Sequence, residues 1–280
     1  MAETIRAALV QSRWTGDRQS MIDAAVGLAR AAAAHGASVL CFQELYSMPS
    51  FFGAEDPGRF AGAERVPGGP SFEVMRDLAR ELSLVLVVPV FEQDQPGVHY
   101  NTAFVLDADG RYLGKYRKTH LCAAPGIHEK YYFRPGNLGY PAFDTAVGRI
   151  GVYLGYDRHF PEGWRALGLA GATVVFNPAA ASQRLAGHLW RLEQPAAAAA
   201  NEYFVGTVNR VGAEPASAAD FFGSSYFVDP RGELVGAVAP TDKSALVVRD
   251  LDMDLLVAVR EELAFYRDRN PAAYGALVAP

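Results

Sequence analysis

Short apolar runs alternate with helix-like segments along most of the chain, and this alternation restricts the fold more than any other feature. Residues 5–11 form a β-rich run, an Ala-rich amphipathic segment follows over 20–35, and a second short run covers 38–43. Strands that alternate with helices belong to sheets whose outer faces are covered by those helices. The pattern therefore predicts an α/β fold.

The same pattern continues to about residue 250. Further strands are predicted at 84–91, 101–106, 111–116, 148–154, 173–177, 204–209, 224–229, 233–238 and 245–251, and further helices at 71–82, 161–170 and 185–201. The last of these helices contains Pro195, which is expected to kink it. Turn signals at 107–110 and 230–232 predict two hairpins.

A single domain over residues 1–280 is predicted, because no low-complexity linker or fixed-period repeat divides the chain. Residues 261–280 are rich in aromatic and charged side chains, which is typical of a tail that packs on the domain or contacts another subunit. Half of the residues are hydrophobic and 20% are charged, so a large core is expected and disorder is not.

Charge and cysteine content exclude several classes of protein. The net charge is −5 and the basic residues are scattered, so no nucleic-acid partner is expected. No stretch approaches the roughly 20 apolar residues of a membrane span, so no membrane partner is expected. The two cysteines are Cys41, in an apolar run, and Cys122, in a loop, and a disulfide framework is improbable. A cytoplasmic location follows as an expectation.

Three residues follow predicted strands, where functional groups of α/β sheets collect. Glu44 comes directly after 38–43 beside apolar neighbours, which predicts a partly buried carboxylate, and Lys118 follows the first hairpin. Gly155 lies between a strand and a helix, where a hydrolase places a nucleophile beside unpaired backbone N–H groups. Taken singly, these residues also have structural interpretations: a helix cap, a solvated charged face and a turn glycine.

Taken together, the motifs resemble the nitrilase superfamily of carbon–nitrogen hydrolases. The resemblance is strongest to the branch that acts on N-carbamoyl amides and includes β-ureidopropionase. It is carried, in order along the chain, by Phe42-Gln-Glu-Leu45, Tyr116-Arg-Lys-Thr-His120, Glu129-Lys-Tyr-Tyr-Phe133, Gly148-Arg-Ile-Gly-Val152, Tyr156-Asp-Arg-His-Phe-Pro-Glu162, Phe176-Asn-Pro178, Leu189-Trp190, Asn209-Arg-Val-Gly212 and Phe222-Gly-Ser-Ser-Tyr226.

The resemblance implies a four-layer α-β-β-α sandwich that forms a homodimer or a higher homo-oligomer, with no metal or organic cofactor. It implies a small-molecule substrate, an amide or an N-carbamoyl compound. Glu44 matches the general base of the family, Lys118 the oxyanion-stabilising lysine, and Glu129 a second carboxylate that positions Lys118. The nucleophilic cysteine of the family falls on Gly155, which cannot form a thioester.

The resemblance also implies residues that bind the substrate. Arg158 matches a position that pairs with a substrate carboxylate, a task that suits a planar guanidinium, and the alternative is a structural arginine at the helix start. Arg210 and His159 are further candidates for that role, and Tyr156 adjoins them. Cys122 follows Lys118 by four residues and is either an incidental loop cysteine or a substitute nucleophile.

Three interpretations of Gly155 stay open at this point. The chain is an inactivated variant of a cysteine enzyme, or a family member that uses Glu44 and Lys118 for non-covalent acid–base chemistry such as elimination, condensation or cyclisation. In the third interpretation it is a pseudoenzyme that holds a ligand or a partner. The retained Glu44, Lys118 and Glu129 count mildly against the third, because buried charged groups without a function destabilise a fold.

Overall fold

The structure is a computed structural model that describes residues 4–50, 53–124, 126–182, 187–214 and 220–279. Its α-helices in these ranges are α1 (Arg18–Ala34), α2 (Pro70–Leu82), α3 (Glu129–Tyr132), α4 (Pro161–Leu169), α5 (Leu189–Asn201) and α6 (Met253–Leu263). Its strands are β1 (Thr4–Gln11), β2 (Val39–Phe42), β3 (Val85–Gln95), β4 (Val98–Leu106), β5 (Tyr112–Arg117), β6 (Ala123–Ala124), β7 (Ile127–His128), β8 (Ala142–Thr145), β9 (Gly148–Val152), β10 (Val174–Pro178), β11 (Phe204–Val208), β12 (Val211–Ala213), β13 (Asp220–Phe222), β14 (Tyr226–Val228) and β15 (Ala245–Asp252).

The first large sheet has the strand order β15-β1-β2-β3-β4-β5. Strands β1, β2 and β3 are parallel, and the other neighbours are antiparallel. Parallel neighbours need a crossover, which α1 and α2 supply. Helix α1 begins where Asp17 accepts a hydrogen bond from the Ser20 backbone N–H in a capping box.

The second large sheet repeats this plan with the order β14-β11-β10-β9-β8. Strands β9, β10 and β11 are parallel, while β8 and β14 pair antiparallel at the two edges. Helix α4 joins β9 to β10, and α5 lies between β10 and β11. Pro161 is the first residue of α4, a position where the absent N–H of proline leaves no helical bond unmade.

The two sheets pack face to face. Along β1, Leu9 belongs to the core between the sheets and Val10 to the core under α1 and α2, as the period of two in a strand requires. The central core also takes Cys41 from the first sheet and Val152 and Phe176 from the second. Helices α1 and α2 cover one outer face, and α4 and α5 cover the other. The predicted four-layer α-β-β-α sandwich is confirmed.

Most predicted elements are present within a few residues, with exceptions that have physical reasons. The strand predicted at 233–238 is wrong: Leu234 makes only an isolated bridge to Val228, and Arg249 donates to the carbonyls of Val235 and Ala237. Strand β8 was not predicted, because it has only four residues and no apolar run. Helix α5 begins at residue 189, and residues 185 and 186 of the predicted helix lie outside the described residues.

The first residues after α6 pack on the domain. The Phe265 backbone N–H donates to Glu202 Oε1 at 3.0 Å, and the Tyr266 hydroxyl donates to the Asn201 carbonyl at 2.5 Å. Residues 271–279 are exposed. Within the described ranges, none of the helices has the length and apolar character needed to cross a membrane.

Candidate active site

A cavity of about 380 Å³ opens at the carboxyl ends of strands from both large sheets. Glu44 lies two residues after β2, Lys118 directly after β5 and Gly155 three residues after β9, while Glu129 begins α3. All four residues line the cavity. The structure therefore brings together every residue predicted as catalytic, although long stretches of sequence separate them.

Lys118 joins the two carboxylates. Its Nζ lies 2.8 Å from Glu44 Oε1 and 2.5 Å from Glu129 Oε1, and its side chain is only 2% exposed. Burial disfavours the charged ammonium, but the negative charges of Glu129 and Glu44 outweigh that effect and raise the pKa of Lys118 above its usual value. The cluster therefore holds a protonated lysine with two of its three N–H donors in use.

Backbone and side-chain donors fix both carboxylates. Glu44 Oε1 also accepts from Asn101 Nδ2 at 2.7 Å, and Glu44 Oε2 accepts from the Ala180 N–H at 2.9 Å. Glu129 Oε2 accepts from the Cys122 N–H at 2.7 Å. Burial raises the pKa of Glu129, and Lys118 only partly offsets this. The predicted partial burial of Glu44 is an underestimate, because the residue is 2% exposed.

Gly155 begins a 3₁₀ turn, Gly155–His159, that separates β9 from α4. The predicted direct passage from strand to helix is thus interrupted by one turn. Gly155 has a φ of +43°, in the left-handed region that favours glycine. A Cβ atom built here would lie 2.5 Å from Glu44 Oε2, so the Glu44 carboxylate fills the space beside the missing side chain.

The turn after Gly155 delivers three of the residues predicted to bind substrate. Tyr156, Arg158 and His159 all line the cavity. Arg158 Nη1 donates to the Gly155 carbonyl at 2.9 Å, and burial lowers the pKa of Arg158. The structural interpretation of Arg158 and its predicted contact with substrate are therefore compatible, since one guanidinium has five donors.

The fourth predicted substrate-binding residue, Arg210, requires a correction. It is fully buried, does not line the cavity, and donates to the backbone carbonyls of Glu44, Leu45 and Met48. Its Nη1 also pairs with Glu214 Oε1 at 2.6 Å. Arg210 thus holds the loop that carries Glu44 and cannot reach a ligand in the cavity.

Cys122 lines the cavity, but its surroundings do not activate it. Burial and the nearby Glu129 carboxylate raise the pKa of the Cys122 thiol. A nucleophilic cysteine needs the opposite shift, because the thiolate is the reactive form. The other cysteine, Cys41, is fully buried in the central core, which agrees with its place in an apolar run.

Sequence reasoning missed several residues that build the site. Asp157 is fully buried and accepts from the His120 N–H at 2.7 Å and the Tyr116 hydroxyl at 2.6 Å, so it fixes the Lys118 segment against the Gly155 turn. Asn101, which contacts Glu44, lies in β4 next to the polar residues His99 and Thr102, so its polarity alone did not single it out in the sequence. Among the described residues, no group of three or more His, Cys, Asp or Glu side chains is arranged to hold a metal ion.

Comparisons with known proteins agree with this geometry. Residues 6–261 match the family model for carbon-nitrogen hydrolases. The chain is 36% identical to an N-carbamoylputrescine amidase of Solanum lycopersicum, over 98% of this chain and 95% of the relative. It is 33% identical to a β-ureidopropionase of Arabidopsis thaliana, over 96% of this chain and 68% of the relative.

Solved structures share the whole architecture. A carbon-nitrogen hydrolase from Helicobacter pylori G27 superposes with a TM-score of 0.93 at 30% identity, covering 99% of both chains. A cysteine-to-alanine mutant of the amidase from Nesterenkonia sp. AN1, solved in complex with butyramide, has a TM-score of 0.79 at 26% identity, covering 96% of this chain and 98% of that one.

Proposed function

Because the chain belongs to the carbon-nitrogen hydrolase family, we propose that its cavity binds an N-carbamoyl compound that carries a carboxylate, without hydrolysing it through a covalent intermediate. One observation carries this proposal: Lys118, Glu44 and Glu129 form a charged cluster in a cavity whose nucleophile position is Gly155. The intact cluster supports binding, and the glycine supports the absence of covalent turnover.

The cluster is complementary to a carbamoyl group. Lys118 has a third N–H that its two carboxylate partners do not use, and a carbamoyl oxygen is a suitable acceptor for it. Glu44 and Glu129 offer carboxylate oxygens to the N–H groups of the same ligand. Charge-assisted hydrogen bonds of this kind are the strong ones in a buried cavity.

The other end of the ligand is inferred from Arg158 and His159. Relatives of this chain include proteins named for N-carbamoylputrescine, which ends in an amine, and for β-ureidopropionate, which ends in a carboxylate. Arg158 in the cavity lining is attractive to a carboxylate and repulsive to an ammonium. We therefore assign N-carbamoyl-β-amino acids as the preferred ligand class.

Covalent hydrolysis is excluded from the proposal because Gly155 has no nucleophile. Removing a nucleophile that acts as part of a unit lowers kcat by on the order of 10⁶, which corresponds to roughly 8 kcal/mol of barrier. A solved relative supports binding without turnover: the Nesterenkonia amidase mutant with a cysteine replaced by alanine is in complex with butyramide.

Isothermal titration calorimetry and an ammonia assay test the proposal together. The unaltered chain should bind N-carbamoyl-β-alanine more tightly than N-carbamoylputrescine and release no ammonia from either. Tighter binding of N-carbamoylputrescine would contradict the ligand class. Ammonia release by the unaltered chain at a rate typical of enzymes would contradict the absence of covalent turnover.

Non-covalent acid–base chemistry is a second candidate function. It is favoured by the raised pKa of Glu129, because a carboxyl group that holds its proton nearer neutral pH is a better general acid. If the unaltered chain transforms a bound ligand, Glu44→Gln should abolish that reaction even at ligand concentrations that saturate the variant. A reaction that survives Glu44→Gln would rule this candidate out.

We infer from the resemblance that the chain forms at least a homodimer. The exposed residues 271–279 are the segment of the tail available for such a contact. Sedimentation equilibrium of the whole chain and of a chain ending at residue 270 tests both statements. The cytoplasmic location stays a prediction from cysteine usage.

A further inference from the structure

A third carboxylate, Glu193, lies directly behind the residues inferred to bind the ligand carboxylate. Helix α5 carries it one turn after Leu189, which lines the cavity, while Glu193 itself does not. Its Oε1 lies 2.6 Å from His159 Nδ1, and its Oε2 lies 3.4 Å from Arg158 Nε. One carboxylate therefore faces both of these residues.

Three contacts hold the Arg158 guanidinium in place. Nη1 donates to the Gly155 carbonyl, Nε faces Glu193, and Cζ lies over the Trp190 ring, 5.7 Å from its centroid. Nε is buried and makes no hydrogen bond, so Glu193 supplies its nearest negative charge. Nη2 makes no hydrogen bond within the described part of the chain, which leaves it for a ligand.

His159 is held in the same way. With Nδ1 directed at Glu193 and its ring 5.0 Å from the Tyr156 ring in an edge-on contact, the imidazole has a fixed orientation. Its other nitrogen, Nε2, makes no hydrogen bond among the described residues, and the side chain lines the cavity. In the imidazolium form, both ring nitrogens carry a proton, so Nδ1–H donates to Glu193 while Nε2–H is presented to the cavity.

We propose that Glu193 is a specificity-determining residue that positions Arg158 and His159 together for a ligand carboxylate. This inference rests on the proposed function, because it names what selects the ligand class of the same cavity. Glu193 does not line the cavity, and it makes no hydrogen bond to the Lys118 cluster. It acts by orienting two donors, so its loss should affect carboxylate ligands and spare ligands that lack the carboxylate.

The alternative role for Glu193 predicts the opposite change in carboxylate binding when Glu193 is removed. If Glu193 only neutralised Arg158, removing its negative charge would leave the cavity more positive and would tighten carboxylate binding. If Glu193 positions the two donors, its removal lets Arg158 and His159 adopt other orientations and weakens carboxylate binding. The direction of the change therefore decides between the two roles.

Calorimetric titration of Glu193→Ala with two ligands gives this direction. The ligands are N-carbamoyl-β-alanine and n-propylurea, in which a methyl group replaces the carboxylate. We expect the Kd of N-carbamoyl-β-alanine to rise at least 10-fold and that of n-propylurea to change less than 2-fold. Glu162→Ala is the matched control, since Glu162 is an exposed carboxylate three residues after His159 that does not line the cavity, and both Kd values should stay unchanged.

Glu193→Gln guards against a variant that fails to fold. Its amide keeps the volume of the side chain but has one acceptor oxygen for two donors, so we expect a smaller rise in the carboxylate Kd than in Glu193→Ala. Tighter carboxylate binding by either variant, or equally weakened binding of both ligands, would overturn this inference and leave the proposed function standing. If the unaltered chain binds neither ligand, the proposed function fails and this inference fails with it.

Discussion

The Glu44 carboxylate occupies the place where a side chain at position 155 would begin: a Cβ built on Gly155 lies 2.5 Å from Glu44 Oε2. Cβ atoms do not approach other atoms so closely, so any larger residue at 155 displaces the carboxylate. Glu44 Oε2 is held by the Ala180 N–H, and Oε1 by Lys118 and Asn101. The observed position of the Glu44 carboxylate therefore depends on the absence of a side chain at position 155.

Gly155→Cys should create a hydrolase. The new thiol would lie beside the candidate base Glu44, whose carboxylate must move away to accept it, because a Cβ in the present arrangement lies 2.5 Å from Oε2. We expect ammonia release from N-carbamoyl-β-alanine to rise by at least about 10³-fold, below the roughly 10⁶-fold that a well-placed nucleophile contributes. Gly155→Ala is the control, since it makes the same contact without a thiol. Equal rates for the two variants would show that the thiol is not what the site lacks.

Gly155→Ala should also destabilise the fold. Its φ of +43° strains an alanine by about 1–2 kcal/mol, and the contact with Glu44 adds to this. Urea denaturation of Gly155→Ala measures the backbone strain and the Glu44 contact together, and urea denaturation of Gly126→Ala measures the backbone strain alone. Gly126 also has a positive φ, +77°, but a Cβ there meets nothing within 4 Å. A loss in Gly155→Ala no larger than in Gly126→Ala would mean that Glu44 moves away without resistance.

Much of the fold could be predicted because its elements are locally encoded. In β1, the alternation of Leu9 and Val10 between two cores follows from the period of a strand. Glu44, Lys118 and Gly155 could be located because each follows a strand, and a sheet gathers its strand ends. The strand predicted at 233–238 failed because Arg249, from a distant strand, takes its backbone carbonyls.

Sequence spacing could not tell which arginine faces the cavity. Arg158 and Arg210 both follow a strand of the second sheet, yet Arg158 lines the cavity and Arg210 is buried against the loop of Glu44. The difference arises from Glu214, which pairs with Arg210, and from contacts between residues more than 160 positions apart in sequence. Glu193 was missed for the same reason, since its partners lie on a different element.

Glu129→Gln should change how stability depends on pH. Burial raises the pKa of Glu129 above its ordinary 4.5, so from pH 4.5 upward the folded chain retains a proton that the unfolded chain has lost. The free energy of unfolding therefore falls as the pH rises through this window, by at most about 1.4 kcal/mol per pH unit. The carboxamide has no such proton. In urea denaturation from pH 4.5 to pH 8, the free energy of unfolding of the variant should rise relative to that of the parent chain as the pH rises. A constant difference between the two free energies would contradict this.

Arg210→Met should be among the most destabilising substitutions near the site. It leaves the Glu214 carboxylate buried without its partner, and removing one member of a buried ion pair costs about 3–5 kcal/mol. The carbonyls of Glu44 and Leu45 lose their donor as well, so the loop that carries the candidate base loosens.

Two further variants separate the buried charge from the lost backbone contacts. Arg210→Met combined with Glu214→Gln should recover part of the lost stability, because the uncompensated charge is gone, but it should not recover ligand binding, because the Glu44 loop still lacks its donors. Arg231→Met is the control, since its pair with Glu262 is exposed and screened by solvent, so its loss should change stability little. If the double variant binds N-carbamoyl-β-alanine as tightly as the parent chain, Arg210 serves only to neutralise Glu214, and the position of Glu44 is set by Lys118, Asn101 and the Ala180 N–H alone.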